Sequence, residues 1–351
     1  LKDLIKKVEQ TRPERIKQAK AGKHYRLMPD KEKEDVLHRF HPDYIKLAKK
    51  ELRIGPNKGS IIPNELVDLL ESKSRVNVKD IDLDKIDYDA DVLIIGGGGA
   101  AACTALVAHQ NGAKVIISTK LRLGDSNTVM AEGGIQAAEK EGDSPAIHFL
   151  DTIGGGHFTN DRELLEVLVK KAPRTLRWLE SLGVMFDKFP DGTMSVLSGG
   201  GTSRKRMHSA GDMTGTDLMR TLRDEIRNQD IEVLEFSPAV ELILDSNGNC
   251  AGAVLYNLET DEYLVARAKS VVLATGGFGR LHLMGFPTTN HYGATADGIV
   301  MAYRTGCSFV FLDASQFHPT GAIYPEQNVG LLITEKMRGA GAQVLNREGE
   351  Q

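Results

Sequence analysis

Short apolar runs followed by glycine recur along the chain after residue 90, and they predict buried strands followed by tight turns. The four consecutive apolar residues 92–95 are typical of a parallel strand that is buried on both faces. Four glycines follow at 96–99, and the apolar pattern of residues 100–110 then predicts a helix that is capped by Asn111-Gly112. Residues 114–118 predict the next strand, which completes a β-α-β unit.

The segments after this unit predict one long helix and an antiparallel meander. Asn160 is the expected N-cap of the helix, Pro173 is expected to restart it and Gly183 to end it. The pattern predicts meander strands at residues 232–236, 240–245, 250–257 and 264–268, and residues 271–274 predict a further buried strand.

The first ninety residues differ in character from the rest. Residues 1–50 are rich in Lys and Glu with a weak helical pattern, and they hold roughly twice as many basic as acidic residues. Residues 54–63 break the pattern, Asn64 is the expected N-cap of a short helix, and the acidic stretch 80–91 is predicted to be a linker. Residues 1–50 thus form a basic arm, which is either a docking surface for an acidic partner or a solvated helical face.

Composition narrows the classes of protein. The 351 residues carry a net charge of only −4, so nothing argues for binding to nucleic acid. Three cysteines stand far apart, and therefore neither a disulfide framework nor an iron–sulfur cluster is expected, and a reducing cytoplasm is the default. No apolar run reaches the ~18 residues of a membrane span, and no histidine spacing predicts a metal site. The chain begins with Leu1 and stops at Gln351, so we expect a fragment.

The glycine turn carries the first chemical prediction. Gly96 permits a tight turn off the strand, Gly98 lets the backbone approach a pyrophosphate, and Ala101 lets the helix pack on the sheet. In NAD enzymes an acid about 20 residues further on holds the ribose. Thr119 and Lys120 stand at that place, which counts against an ordinary NAD dehydrogenase. The turn alone does not choose between NAD and FAD.

Several later segments together resemble the fumarate reductase/succinate dehydrogenase flavoprotein family, which also contains L-aspartate oxidase. They lie in family order within residues 90–351: Asp-Ser-Asn-Thr-Val-Met-Ala-Glu-Gly-Gly (125–134), Ala-Gly-Asp-Met-Thr-Gly (210–215), Ala-Thr-Gly-Gly-Phe-Gly (274–279), His-Pro-Thr-Gly (318–321) and Thr-Glu-Lys-Met-Arg-Gly (334–339). The first 90 residues do not match the common members.

The resemblance implies FAD as the cofactor and assigns residues to it. The pyrophosphate would lie on the turn and the start of the helix, and the adenosine half beside the end of the second strand. The segment 126–134 would follow the isoalloxazine ring. The implied FAD-binding residues are Gly96, Gly98, Gly99, Ala100, Ala101, Thr119, Lys120, Ser126, Asn127, Thr128, Ala131, Gly133, Gly134, Ala274, Thr275, Gly276 and Asp297.

One departure from the family pattern bears on how the flavin is held. Quinone-linked members carry a His after the Ser, and this His bonds covalently to the flavin, whereas Asn127 stands at that place here. The resemblance therefore implies non-covalent FAD and favours fumarate reduction over succinate oxidation. The alternative is that Asn127 only packs and that the partner's potential sets the direction.

The resemblance also implies a dicarboxylate site. His318 and Thr334 match the contacts to one carboxylate, and Glu335 and Arg338 match a relay that feeds a proton to a catalytic Arg. In the family pattern that Arg lies beyond Gln351, so residues 1–351 alone are expected to be inactive.

The sequence thus predicts an α/β protein: a helical N-terminal extension (1–88), a Rossmann-like FAD-binding domain with a parallel sheet and an antiparallel meander (89–325), and the start of an inserted capping domain (326–351). The predicted function is fumarate–succinate interconversion by a flavoprotein subunit with an iron–sulfur partner. The expected location is the cytoplasm, or the inner membrane face through that partner. The alternatives are L-aspartate oxidase and a non-catalytic FAD electron-transfer module.

Overall fold

The computed structural model describes residues 2–22, 28–41, 43–77, 79, 81–339 and 341–351. The helices are α1 (Lys2–Lys20), α2 (Asp30–Phe40), α3 (Asn64–Glu71), α4 (Gly99–Gln110), α5 (Pro145–Gly155), α6 (Arg162–Leu182), α7 (Thr214–Asn228), α8 (Asp297–Arg304) and α9 (Glu335–Gly339). The strands are β1 (Lys49–Glu51), β2 (Ile61–Pro63), β3 (Tyr88–Ile95), β4 (Val115–Ser118), β5 (Ile135–Gln136), β6 (Met207–His208), β7 (Glu232–Leu234), β8 (Ala239–Leu244), β9 (Cys250–Asn257) and β10 (Glu262–Leu273).

The main sheet has six strands in the order β7-β4-β3-β10-β9-β8. Strands β7, β4, β3 and β10 run parallel, whereas β8 and β9 are antiparallel to their neighbours. The predicted β-α-β unit is confirmed, because β3 and β4 pair in parallel across helix α4. The fold class that the sequence predicts, a parallel sheet with an antiparallel meander, is therefore confirmed.

The predicted linker at 80–91 is too long, and Asp80 itself lies outside the described residues. Strand β3 begins at Tyr88 because its first residues pair with β10. Its two aspartates are neutralised along that pair: Asp89 forms an ion pair with Arg267 at 2.9 Å, and Asp91 with Lys269 at 2.6 Å. An acidic stretch can therefore be the start of a strand when the neighbouring strand supplies the cations.

The meander prediction is right for three strands and wrong for the first. Strands β8, β9 and β10 form the antiparallel part, and β10 continues through both of the predicted segments 264–268 and 271–274. Strand β7 instead pairs in parallel with β4 at the opposite edge of the sheet. The reason is its crossover: helix α7 precedes β7 and covers the sheet, which returns the chain in the parallel direction.

Two helix starts also differ from the prediction. Asp161, and not Asn160, caps α6, since its side chain accepts the Leu164 N–H at 3.0 Å. Helix α6 continues through Pro173, because a single buried stripe of leucines and Val169 on both sides of the proline packs against neighbouring helices. Helix α3 has Pro63 at the cap position and Asn64 as its first helical residue. The end of α6 is as predicted, with Gly183 in the left-handed region at φ 111°.

Both faces of the sheet are covered. Helices α4, α6 and α7 pack on one face, where Ile94, Ile117 and Leu106 are buried. On the other face Met301 of α8 packs against Leu93 and Ile95. Residues 49–71 share a separate core with α8, in which Leu66 meets Tyr303. Part of the predicted N-terminal extension thus packs directly on the FAD-binding region, and the boundaries at 88/89 and 325/326 stay predictions.

A buried ion-pair network holds α5 against the loop before β6. The Arg206 side chain is 1% exposed and donates to Asp143 at 2.8 and 2.9 Å and to Asp151 at 2.6 Å. The hydrogen bonds from Arg206 lower the pKa of Asp143 from its usual value. Because that pKa is lowered, the stabilisation is present above the ordinary carboxyl pKa and is lost as the pH falls through the lowered one.

We expect Asp143→Asn to destabilise the protein by about 1.5–3 kcal/mol, because the buried guanidinium loses a charged acceptor that takes two of its hydrogen bonds and keeps Asp151 as its only counter-ion in this network. Urea unfolding at neutral pH measures this loss. As the pH is lowered, the stability of the variant should fall less steeply than that of the wild type. Asp35→Asn is the control, since Asp35 forms only an exposed pair with Arg39 and should change stability by less than about 1 kcal/mol. Equal unfolding midpoints for both variants would contradict the role of this network.

Candidate FAD and dicarboxylate site

The turn between β3 and α4 is closed on both sides by the ends of other strands. The Gly96 N–H donates to the Ser118 carbonyl at 2.8 Å, and the Ala274 N–H donates to the Ile95 carbonyl at 2.8 Å. Gly96 has φ 126°, and a Cβ placed there would overlap the Ala274 carbonyl. Only glycine fits this position, because both the backbone conformation and the close approach exclude a side chain.

The start of α4 presents backbone N–H groups that the helix itself does not satisfy. Gly98 is the N-cap residue and has no side-chain cap, and the Gly99 N–H donates to Thr128 Oγ1 at 3.2 Å. Ala101 is fully buried, which agrees with its predicted role of packing the helix on the sheet. A helix start of this kind, directly after a buried strand, favours an anionic group such as a pyrophosphate.

A cavity of about 370 Å³ opens in front of this turn. It is bounded by the glycine turn, the ends of β4 and β10, and the start of α8. The predicted cofactor residues that line it are Gly96, Gly98, Gly99, Ala100, Thr119, Lys120, Ser126, Asn127, Thr128, Ala274, Thr275, Gly276 and Asp297. Ala101, Ala131, Gly133 and Gly134 lie outside the lining. The structure therefore brings most of the predicted residues to one cavity.

Lys120 and Asp297 form the polar end of the cavity. Lys120 Nζ donates to Asp297 Oδ2 at 2.5 Å, to Thr295 Oγ1 at 2.8 Å and to the Gly293 carbonyl at 3.2 Å. Asp297 is the first residue of α8, and it lies beside the end of β4 although 177 residues separate it from Lys120. An acid thus stands beside Lys120, but it comes from a different part of the chain than the ribose-binding acid of NAD enzymes.

Residues 126–134, which we call the ring-flanking segment, are held in place because their backbone carbonyl oxygens accept hydrogen bonds from a neighbouring helix. The Thr214 hydroxyl donates to the Gly133 carbonyl at 2.8 Å, and the Gly215 N–H donates to the Ala131 carbonyl at 2.6 Å. Gly134 lies so close to β6 that a Cβ would overlap the His208 carbonyl. The start of α7 and strand β6 therefore hold this segment at the edge of the cavity.

Asn127 and His291 meet at the same edge, and sequence reasoning missed His291. The His291 backbone N–H donates to Asn127 Oδ1 at 2.7 Å, and both residues line the cavity. Burial lowers the pKa of His291, which favours the neutral ring. The sequence signal that could have identified His291 was its position, only six residues before Asp297. The same stretch also supplies the acceptors that bind Lys120.

The residues predicted to bind substrate lie in a hairpin and a short helix. Residues 321 and 332 form an isolated antiparallel bridge, so this hairpin spans the predicted boundary at 325/326. The Thr320 hydroxyl donates to the Ile333 carbonyl at 2.9 Å and accepts a bond from Arg338 Nη1 at 2.6 Å. His318 Nδ1 lies 2.8 Å from the Thr320 carbonyl, a contact that requires a proton on Nδ1. Thr320, which the sequence did not single out, connects the predicted residues.

Glu335 and Arg338 both lie on α9, within the described part of the chain. No hydrogen bond joins these two side chains there. Arg338 binds Thr320, while the Glu335 carboxylate lies against Gly200. Thr334 is buried beside them. The i,i+3 spacing therefore places the two residues on one short helix without forming the expected relay contact in this structure.

The charge of one predicted substrate residue also acts on the ring-flanking segment. Burial raises the pKa of Glu132, the nearby Asp212 raises it further, and His318 lowers it. The geometric connection is made by α9, whose Lys336 Nζ donates to the Gly211 carbonyl at 3.0 Å. Gly211 lies in the loop before Thr214, and the Thr214 hydroxyl donates to the Gly133 carbonyl of the ring-flanking segment at 2.8 Å.

The comparisons with known proteins agree with this geometry. Residues 91–351 match the FAD binding domain family. The chain belongs to this family. One subunit of the fumarate reductase (CoM/CoB) from Methanothermobacter marburgensis is 38% identical over 269 residues, which are 75% of this chain and 48% of that protein. The L-aspartate oxidase of Streptomyces coelicolor is 34% identical over 74% of this chain and 45% of its own length.

A solved structure shows the same relation. The quinol fumarate reductase of E. coli superposes with a TM-score of 0.70 at 32% identity, over 75% of this chain and 44% of that one. The chain thus spans about half the length of the curated relatives that it matches. Its relatives include fumarate reductase and succinate dehydrogenase flavoprotein subunits and L-aspartate oxidase, and the family match assigns FAD as the cofactor of the chain.

The cavity fits this cofactor. Only a glycine backbone leaves the space in front of Gly96, and Gly98 and Gly99 approach Ser126 and Thr128 without side chains between them.

None of the helices in the described ranges is long and apolar enough to cross a membrane. Within the same ranges, no group of three His, Cys, Asp or Glu side chains could hold a metal ion.

We expect Asp297→Asn to weaken FAD binding on the order of tenfold, because a charged acceptor contributes about 1.5–3 kcal/mol to a hydrogen bond and the amide keeps only part of it. Titration of the apoprotein with FAD, followed by flavin fluorescence, measures the dissociation constant. Asp35→Asn, far from the cavity on the exposed face of α2, should bind FAD like the wild type. Unchanged affinity in Asp297→Asn would show that the carboxylate does not touch the cofactor.

Proposed function

We propose that the full-length protein containing this chain interconverts fumarate and succinate and exchanges electrons with an iron–sulfur subunit. The observation that carries the proposal is that α9, which bears Glu335 and Arg338, is hydrogen-bonded through Lys336 to the Gly211 carbonyl at 3.0 Å, three residues before the Thr214 that holds the ring-flanking segment. The four predicted substrate residues lie within one hairpin and the helix after it. The relatives named above include enzymes of this class.

The roles of the side chains follow from their hydrogen-bonding capacity. His318 keeps one proton on Nδ1 for the Thr320 carbonyl, and a second proton on Nε2 would make the ring a donor to a substrate carboxylate. Thr334 is buried and offers its hydroxyl as a further donor. Bound FAD supplies the hydride at N5. Glu335 and Arg338 are the proposed proton relay, and Arg338 must exchange its Thr320 partner for the relay contact.

We further propose that the FAD is held without a covalent bond. A carboxamide is a poor nucleophile, so Asn127 cannot take the place of the histidine that bonds to the flavin in other members. Its oxygen instead accepts the His291 N–H at 2.7 Å and ties the ring-flanking segment to the loop that carries Asp297. Asn127 therefore has a binding role that needs no bond to the cofactor.

Precipitation of the holoprotein with acid should release FAD into the supernatant, because unfolding removes every contact that holds it. The measurement is the absorption of supernatant and pellet after centrifugation. A quinone-linked succinate dehydrogenase with covalent flavin is the control and should give a yellow pellet. A yellow pellet from this protein would refute the non-covalent proposal.

The partner is inferred from the distribution of redox centres. Cys103 and Cys250 are partly buried and Cys307 is exposed, and these three free cysteines do not come together. Burial raises the pKa of Cys103 to about 11, so without a metal this thiol stays protonated at neutral pH. A four-cysteine cluster cannot be built from them. We therefore propose that an iron–sulfur subunit exchanges electrons with the flavin, and that association with the inner membrane face would pass through it.

L-aspartate oxidase remains the second candidate because one relative at 34% identity has this activity. The full-length protein should reduce fumarate with reduced viologen as the electron donor. It should not produce hydrogen peroxide and iminoaspartate from L-aspartate and oxygen. The opposite pair of results would assign the protein to the second candidate.

A further inference from the structure

A lysine lies inside the proposed relay, between Glu335 and Arg338. Lys336 Nζ donates to the Gly211 carbonyl at 3.0 Å and to the Ser209 hydroxyl at 3.4 Å. Two carboxylates complete its surroundings, with Asp187 Oδ2 at 3.7 Å and Asp212 Oδ1 at 3.8 Å. The side chain is only 26% exposed, so these interactions are partly shielded from water. The ammonium group thus connects α9 to residues 209–212, which we call the clasp loop.

The clasp loop is itself rigidly held. Asp187 Oδ2 accepts the Ser209 hydroxyl at 2.9 Å, and Asp187 Oδ1 accepts the Gly211 N–H at 3.0 Å. The Ala210 N–H donates to Thr214 Oγ1 at 3.0 Å. Because these bonds fix the loop from both sides, a cation bound to it is tied to a defined point of the FAD-binding region.

The same loop continues into the residues that hold the ring-flanking segment. Thr214 binds the Gly133 carbonyl and Gly215 binds the Ala131 carbonyl, as described above. A continuous path of hydrogen bonds therefore runs from the segment beside the flavin, through the start of α7 and the clasp loop, to Lys336. Thr334, Glu335 and Arg338 stand on the same helical turn as this lysine or directly before it.

Other contacts of α9 do not fix it to the FAD-binding region in this way. Arg338 binds Thr320, which belongs to the same substrate hairpin. The Glu335 carboxylate touches Gly200, a residue without a side chain. Among the described interactions of α9, Lys336 makes the ionic connection to the FAD-binding region, through Asp187 and Asp212.

We propose that Lys336 is a positioning residue, which sets the distance between the proton relay on α9 and the ring-flanking segment by binding the clasp loop. The proposal rests on the proposed function, since it assigns Lys336 a part in the same reaction. It concerns geometry: the Lys336 side chain does not line the cavity, and its Nζ binds the clasp loop.

The test compares Lys336→Met with Lys336→Arg in the full-length, FAD-loaded protein. Stopped-flow reoxidation of the reduced flavin by fumarate should slow on the order of 10- to 100-fold in Lys336→Met, because a displacement of about 1 Å in a catalytic group costs rates of this size. Reoxidation by ferricyanide, which needs no proton relay, should keep its wild-type rate. Lys336→Arg retains the cation and should recover most of the fumarate rate.

A readout that does not depend on catalysis is amide hydrogen exchange of residues 334–339. Loss of the tie should raise exchange in this turn in Lys336→Met, while the affinity for FAD stays the same. Lys170→Met is the matched control, because Lys170 forms only an exposed pair with Glu166 on α6. Asp212→Asn weakens the tie from the loop side and should raise exchange in the same turn to a smaller extent.

The two proposals fail in distinguishable ways. If the wild type is not reoxidised by fumarate, the proposed function is wrong. If the wild type is reoxidised and Lys336→Met matches it in both rate and exchange, the positioning role is overturned. Equal slowing with fumarate and with ferricyanide would also overturn it, because that result indicates a general loss of structure.

Discussion

The close approach of two backbones, Gly96 at the end of β3 and Ala274 at the end of β10, is the constraint on which the rest of the site depends. The adjacent strands run parallel, so their carboxyl ends reach the same edge of the sheet. Because no side chain separates the two turns, the pyrophosphate end of α4 and the small residues after β10 face one space. A ligand that contacts both this turn and the pair Lys120–Asp297 lies along that edge of the sheet.

The site beyond the cavity is organised by the ring-flanking segment. One side of this segment contributes Ser126, Asn127 and Thr128 to the cavity. Its other side is bound through backbone carbonyls to the start of α7. The segment that lines the cavity is therefore held by main-chain hydrogen bonds, so substitutions of its side chains need not move it.

The sequence predicted what local pattern determines and missed what depends on contacts between distant segments. The β3-α4-β4 unit follows from one apolar run, the glycines and one capped helix, all within thirty residues. The parallel pairing of β7 depends on a crossover through α7, and the strand by itself looks like any short edge strand. Asp297 was assigned to the cofactor through the resemblance alone, because its contact with Lys120 spans 177 residues. Thr320 and His291 act through backbone and hydroxyl contacts that leave no spacing pattern.

The central claim, that a dicarboxylate binds next to the flavin, is tested most directly by the absorption spectrum of the oxidised, FAD-loaded full-length protein during titration with fumarate and with malonate. We predict a saturable shift of the flavin bands with each ligand, and a loss of that shift in Thr334→Val, since the buried hydroxyl would no longer donate to a carboxylate. A protein that binds FAD normally but whose flavin spectrum does not respond to either dicarboxylate would contradict this claim and would favour a non-catalytic electron-transfer module.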